Sequence, residues 1–349
     1  MVLLPGQEDR DIWAYFASLA FPSEQLVRRT LDVLAEAGRP MSTPALETEV
    51  ELSRTRLETM LKVLDVDGAV RRVGGGWEAT GQEWAYDAER YARVAEARQR
   101  EQEAMLGYLR TTQCRMRYLR EQLDDPEAAD CGRCDNCGGL ALTGDISGAA
   151  VDAASERLSR PGVVVEPRKQ WPTGLDARGL ALKGRIAGAA EGRAVARLTD
   201  LGYGQQLREL FRETTPDGDV PVPLVKAVIE VLGDWRPQVD SIVYVESDIR
   251  PTLTRDLAEG LSRYLKVPVI GSYALVDPSV PPGAGAANSA QRVAAVSRRS
   301  ALRAEVPPGA RVLLVDDRVV TGWTLTLAAA ALRQAGAEAV LPLVLATTS

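Results

Sequence analysis

The sequence predicts an α/β protein of several domains, with a helical, zinc-binding N-terminal half and a mostly parallel sheet covered by helices in the C-terminal half. Three observations predict it. All four cysteines, Cys114, Cys131, Cys134 and Cys137, fall in one short stretch. Apolar strand-like runs at 241–246, 267–271, 311–316 and 339–346 alternate with helical patterns at 224–233, 252–265, 288–303 and 324–335, the signature of a parallel sheet buried on both faces. The length of 349 residues exceeds the ~100–200 of a single domain, so more than one core is expected.

Composition narrows the chemistry. The chain is 45% hydrophobic and 26% charged, ordinary for a globular protein. No apolar run approaches the ~20 residues of a membrane span, so a cytoplasmic setting with reduced thiols is expected. There is no histidine, which removes imidazole from both metal ligation and acid–base catalysis. The net charge of −6 is unevenly placed: residues 1–140 carry 18 basic against 25 acidic side chains, compared with 24 and 23 in the remainder. A grip on nucleic acid by the N-terminal half therefore has to be local.

The first element to justify is the cysteine cluster. Three of the four read C-G-R-C-D-N-C, and two-residue gaps let consecutive thiolates turn onto one ion. A fourth sulfur, Cys114, arrives from a preceding helix and closes a tetrahedral S4 site with no open position. Paired disulfides or four buried thiols are the other readings of the same residues. Residues 83–123 read as one or two long helices leading into the site. Eight arginines lie between Arg90 and Arg120, some of them expected as solvated helix face or i,i+4 pairs, while Arg110, Arg115 and Arg117 stand where metal ligation would hold them rigid, which marks them as phosphate contacts.

Upstream, residues 21–86 read as three helices and a ribbon. Ser23 caps a helix running to Gly38, Pro44 opens a short second one, and Ser53 caps a third with Leu57, Met60, Leu61 and Leu64 on one face. The run A-V-R-R-V-G-G-G-W-E-A-T then gives two strands around a glycine turn. This is the order of a winged helix, whose third helix and wing would offer Arg54, Arg56, Arg71 and Arg72 to DNA; a spacer or protein-contact wing is the other reading.

The run L-R-T-T-Q-C-R-M-R-Y-L-R-E-Q-L followed by D-C-G-R-C-D-N-C resembles the zinc-binding module of RecQ-family DNA helicases, in ligand number, order and the arginine after the first cysteine, Arg115. The resemblance implies a structural zinc at residues 87–140 and DNA unwinding as the setting. It also implies that residues 1–20 are the tail of a motor domain and that the chain is a fragment starting just past it. Consistent with a missing motor, none of the five lysines follows a glycine, so no G-K-[ST] phosphate loop is present. Residues 141–164, rich in glycine and alanine at their start, read as a linker.

In the C-terminal half the informative run is V-L-L-V-D-D-R-V-V-T-G-W-T, residues 312–324. A buried strand ends in Asp316 and Asp317, and a short loop with Thr321, Gly322 and Thr324 leads into an apolar helix. Backbone N–H groups and threonine hydroxyls at the positive end of a helix make a receptacle for a phosphate dianion. The paired carboxylates can accept from two vicinal hydroxyls. Together they describe a ribose 5-phosphate site; a solvated acidic turn is the bland alternative.

That arrangement resembles the signature loop of type I phosphoribosyltransferases, which bind 5-phosphoribosyl 1-diphosphate (PRPP) with Mg2+. The resemblance covers residues 165–349. It implies that Asp316 and Asp317 hold the ribose hydroxyls, that Ser247 and Arg250, after an earlier strand, contact the diphosphate, and that 278–287, before Asn288, Gln291 and Arg292, form a mobile hood. Arg318 and Trp323 depart from the usual signature. The segments 166–175 and 191–211 match no catalytic motif; the second has helical periodicity through Leu198, Leu207 and Leu210, and for Arg168, Lys169 and Arg193 core and domain-docking roles are the default, with a nucleic-acid path as the other reading. The two resemblances together are those of the RqlH branch of bacterial RecQ-like 3′-to-5′ helicases. They imply DNA, an upstream motor and a phosphoribosyl or nucleotide ligand as partners, no membrane, and a nucleoid-associated role in DNA repair. A phosphoribosyltransferase with N-terminal targeting modules is the rival enzyme reading, and a non-catalytic sensor of nucleotides or DNA 5′-phosphates is the other reading of the C-terminal domain.

Overall fold

The structure, a computed structural model, describes residues 9–18, 21–139, 146–283 and 286–348. The chain divides into two compact units, Met1–Leu46 with Arg54–Ile146, and Glu47–Ser53 with Ser147–Ser349. The strand-like start expected at the N-terminus lies outside the described residues.

In the first unit, α1 (Asp9–Ser18) precedes α2 (Glu24–Ala37), α3 (Thr43–Glu49) and α4 (Arg54–Val66). Leu57, Met60, Leu61 and Leu64 recur at helical spacing on α4 and are all fully buried, so burial of one stripe fixes this helix. Gly38 ends α2 in the left-handed conformation and donates its N–H to Ala35 O, closing an end that the sequence continues with Pro40. Strands β1 (Val70–Val73) and β2 (Gly76–Ala79) pair antiparallel. Gly74 and Gly75 between them have φ of 56° and 83°, the two consecutive positive values that a tight hairpin turn matched to strand twist requires. Met41 exchanges two 2.8 Å backbone hydrogen bonds with Trp77, adding a third rung to the wing. The order is three helices followed by a two-stranded ribbon, as expected.

Helix α5 (Ala88–Arg110) follows, capped by Asp87, whose side chain accepts from the Arg90 N–H at 2.9 Å. Its base is held by aromatic rings: Phe21 stacks on Tyr91 at 4.4 Å. The short α6 (Arg115–Glu121) comes next. Cys114 is the residue before α6, so the first sulfur comes from the turn between two helices rather than from within one.

The second unit opens with α7 (Gly148–Leu158), capped by Ser147. Part of the expected linker, residues 141–145, lies outside the described residues; the rest holds this helix and the start of β3 (Val163–Val165). Then come β4 (Gly192–Arg197), α8 (Tyr203–Leu210), α9 (Val222–Trp235), β5 (Ser241–Val245), α10 (Pro251–Leu265), β6 (Val269–Leu275), α11 (Ser289–Arg299), β7 (Ser300–Ala304), β8 (Arg311–Val319), α12 (Trp323–Gln334) and β9 (Ala339–Thr347). The seven strands lie in the order β3-β4-β9-β8-β5-β6-β7. The inner five run parallel and the two edges antiparallel, so the protein is mixed α/β with a mostly parallel sheet.

Alternation along β8 explains why it reads as a continuous apolar run. Val312 and Leu314 enter the core shared with α11 and α12, while Leu313 and Val315 enter the core under α8, α9 and α10. Three expectations shift. The helix expected to reach 303 ends at Arg299, because Ser300–Ala304 pairs with β6 at the sheet edge. Strand β8 runs three residues past Asp316, because β9 pairs with it as far as Val319↔Thr347; both acidic residues therefore lie inside the strand. The stretch 191–211 is helical only from Tyr203, since Gly192–Arg197 fills the slot between β3 and β9.

Candidate metal centre and ligand cleft

The four cysteine Sγ atoms lie within 4.8 Å of one another, and Sγ of Cys134 is 3.9 Å from Sγ of Cys114. A tetrahedral zinc with Zn–S near ~2.3 Å sets sulfurs about 3.8 Å apart, so the donors fit a closed structural zinc. None is in a disulfide. Electrostatics point the same way. Backbone N–H groups of Arg117 and Cys131 hold the Cys114 thiol down at about 6, and the Arg115 N–H leads in lowering Cys134. Cys137, hydrogen-bonded to Cys134 and then desolvated, is pushed up to about 12. The lowered thiols favour the thiolate, the form that ligates a metal.

The surrounding residues brace this site. The Arg115 guanidinium donates to both carboxylate oxygens of Asp135 at 2.7–2.9 Å and to Tyr108 O at 2.7 Å, and lies over the Tyr108 ring. Asn136 donates to Thr111 O and Gln113 O at 2.8 and 2.6 Å. Asp135, which accepts, and Asn136, which donates, both sit between two of the cysteines, so these bonds clamp the knuckle to the end of α5. Tyr118 of α6 donates its hydroxyl to Ala104 O at 2.9 Å, a contact possible because residue 107 is glycine: a Cβ there would collide with that hydroxyl.

Of the arginines expected to meet DNA, Arg115 is thus engaged inside the module. Arg117 is shared between Glu121 at 2.8 Å and Asp130 at 3.8 Å. Arg110 is exposed and makes no ion pair among the described residues. Arg71 pairs with Glu78 at 2.5 Å and Arg72 lies over Trp77. Arg54 and Arg56 are half-buried, with Arg56 Nε buried and unbonded. Arg133, between the second and third ligands, is exposed; sequence reading passed over it, although its place inside C-G-R-C was the available signal.

In the second unit a cleft of about 230 Å3 opens at the C-terminal ends of β5 and β8, lined by Glu246, Arg292, Asp316, Asp317, Thr321 and Trp323 among others. Asp316 is 7% exposed and its carboxylate accepts the Asp317 N–H at 2.8 Å. Burial first, and then the neighbouring charge of Asp317, raise Asp316 well above the ordinary carboxylate range. Asp317 is also raised by burial, against the opposing pull of Arg318 and Arg250. Burial thus disfavours ionisation of both carboxyls, of Asp316 the more strongly. Gly322, at φ 76°, starts α12, whose first-turn N–H groups have no intrahelical acceptor. Thr321 and Thr324 flank it, half-buried and lining the cleft. The expected phosphate cradle and acidic pair therefore meet in one cleft.

The expected diphosphate contacts have other partners. Ser247 Oγ accepts the Arg250 N–H at 3.0 Å. Arg250 is 5% exposed and donates to Arg212 O at 2.8 Å and Thr215 O at 3.3 Å, stitching the loop after β5 to the end of α8. In the expected hood, Arg299 bonds Asp248 and the carbonyls of Pro278 and Val280. Residues 284 and 285 lie outside the described residues. Asn288 caps α11 by accepting the Gln291 N–H at 2.9 Å. The two departures from the signature are also accounted for: Arg318 lies over the Phe211 ring, and Trp323, 3% exposed, is stacked on Trp171 with Arg168 on it at 4.3 Å.

No helix among the described residues is long and apolar enough to cross a membrane. Among known proteins, no curated sequence matches the chain. Several solved structures are similar to parts of it. UMP synthase of Leishmania donovani matches 36% of this chain at 21% identity and a TM-score of 0.22, and the match spans 21% of that protein's length. A purine phosphoribosyltransferase from Pyrococcus horikoshii matches 39% of this chain and 90% of its own at 17% identity and a TM-score of 0.25. Residues 81–138, the segment containing α5, α6 and all four cysteines, match the RecQ zinc-binding family.

Proposed function

We propose that this chain is the non-motor C-terminal region of a RecQ-like DNA helicase, of the RqlH type. It supplies a zinc-braced DNA contact and carries an appended ribose 5-phosphate cleft. The observation that carries the reading is the four-sulfur cluster inside the RecQ zinc-binding match. The metal's part is to hold the knuckle folded; the chain's own residues do the rest. The Arg115–Asp135 clamp fixes the loop that presents Arg133, and Arg110 at the end of α5 stays free for phosphate. In the cleft, Asp316 and Asp317 accept from the two ribose hydroxyls, and the first turn of α12 with Thr321 and Thr324 takes the 5′-phosphate. Mg2+ accompanies the ligand where that ligand is PRPP.

Fluorescence anisotropy with a labelled oligonucleotide tests the first part. Zinc-loaded protein binds with an affinity that falls steeply with salt, and stripping the metal abolishes binding; equal binding by the stripped protein sinks the proposal. The transferase reading is favoured by the meeting of acidic pair and phosphate cradle in one cleft. It requires diphosphate release from PRPP in the presence of an acceptor, lost in Asp316→Asn.

A further inference from the structure

Helix α9 turns an apolar face to solvent. Val222, Val225 and Ile229 recur on it at helical spacing and are 67%, 39% and 38% exposed. Beside them a groove of about 300 Å3 runs between α9 and α10, floored by the buried Val228, Leu232, Leu257 and Leu261 and walled by the exposed Tyr264. Contiguous apolar surface of this kind on a globular unit marks a contact surface.

Two glycines extend it. Gly233 lies in the last turn of α9, yet the left-handed cap is Arg236, and a Cβ on Gly233 would meet nothing within 4 Å. Gly260 lies inside α10 on the wall of the groove, where a Cβ would meet only the end of the Arg263 side chain at 3.8 Å. Glycine is disfavoured inside a helix, and no packing within the chain calls for it at either place. Both positions leave room for a close neighbour from outside.

The charges beside the stripe identify that neighbour. Lys226 and Glu230, one turn apart, are exposed, do not line the groove and make no ion pair among the described residues. A helix rises about 1.5 Å per residue. A second α9 laid antiparallel on the first, with the two-fold axis at the level of Val228, therefore sets each Lys226 level with Glu230 of the other copy. The same register brings Val222 of each copy over Gly233 of the other and interdigitates Val225 and Ile229 between them. A face with this spacing of both signs is complementary to itself, as a two-fold interface requires. Residues 141–349 carry 24 basic and 23 acidic side chains, so two copies of this half meet with little net repulsion.

We propose that the exposed face of α9, with the groove between α9 and α10, is the interface of a two-fold symmetric homodimer, and that its occupant is α9 of a second copy of this chain. The assignment is independent of the ligand reading of the cleft, since it uses none of the residues that line it.

Sedimentation velocity of the full chain tests this. Wild type is expected to show a concentration-dependent monomer–dimer equilibrium, which Ile229→Glu abolishes by placing an unpaired charge near the centre of the interface. Lys226→Glu and Glu230→Lys each set like charges opposite one another twice, and each is expected to weaken the dimer by at least about tenfold. Mixed together, these two variants regain opposite charges at both pairs and form a 1:1 heterodimer; the double reversal in one chain restores the homodimer. All three positions are exposed in the single chain, so the melting temperature of each variant should match that of monomeric wild type, which separates lost association from lost fold. A wild type that stays monomeric at every concentration, as it would if the face served a different protein, overturns the proposal. A dimer indifferent to Ile229→Glu, or charge-reversed variants that fail to pair when mixed, overturns it equally.

Discussion

Replacing Asp316 by asparagine is expected to stabilise the sheet unit while removing ligand binding. Asp316 is 7% exposed and has one hydrogen-bond donor, the N–H of Asp317. When ionised it is a buried charge facing a second carboxylate. Asparagine keeps the acceptor oxygen for the Asp317 N–H and supplies an amide donor toward the Asp317 carboxylate, as the protonated acid does. Relief of an incompletely satisfied buried group is worth about 1–3 kcal/mol, or about 2–12 °C in melting temperature for a unit of roughly 200 residues. The effect depends on pH. Burial raises the pKa of Asp316 in the fold, so above the ordinary carboxylate range the folded protein holds a proton that the unfolded chain has released. Its contribution to stability therefore falls as pH rises, and the asparagine variant should gain most at pH 8 and least at pH 5. Differential scanning calorimetry at both values measures the gain, and titration of ribose 5-phosphate, expected to weaken at least tenfold, measures the loss. Equal destabilisation at both pH values, or unchanged binding of ribose 5-phosphate, would refute the reasoning.

In the zinc module, Arg115→Ala breaks the clamp on Asp135 and should speed zinc loss to a chelator by roughly 10–100-fold, the usual effect of removing a group that orients a ligand loop; melting of the sheet unit should not change. Arg110→Ala should leave zinc retention untouched, weaken DNA binding and reduce the slope of log affinity against log salt by about 1. If the Arg115 variant instead keeps its zinc and loses one unit of salt slope, the two roles have been exchanged. Gly107→Ala places a methyl group against the Tyr118 hydroxyl; despite the ~1 kcal/mol that alanine favours a helix over glycine, it should accelerate zinc release.

What the sequence made legible was local. The four ligands, the stripe on α4, the wing and the strand–loop–helix with Asp316, Asp317 and Thr321 all follow from spacing within about two dozen residues. What it hid was set by pairing at a distance. The segment Ser300–Ala304 reads as the end of a helix until β6 offers it an edge, and Gly192–Arg197 becomes a strand because β3 and β9 flank it. Side-chain roles failed to show for the same reason. Arg115 lies 20 residues from the carboxylate that engages it, Arg250 is 38 residues from the Arg212 carbonyl it holds, and Arg168 is 153 residues from Thr321. A basic residue beside a motif is visible in sequence, but whether its charge is free depends on partners that only the fold brings near.

The claim on which the account turns is that Cys114, Cys131, Cys134 and Cys137 hold one zinc ion as a set. Elemental analysis of the purified chain tests it most directly. One zinc per chain is expected in the wild type and close to none after Cys134→Ser; a wild type without zinc, or a serine variant that retains it fully, rules the shared site out.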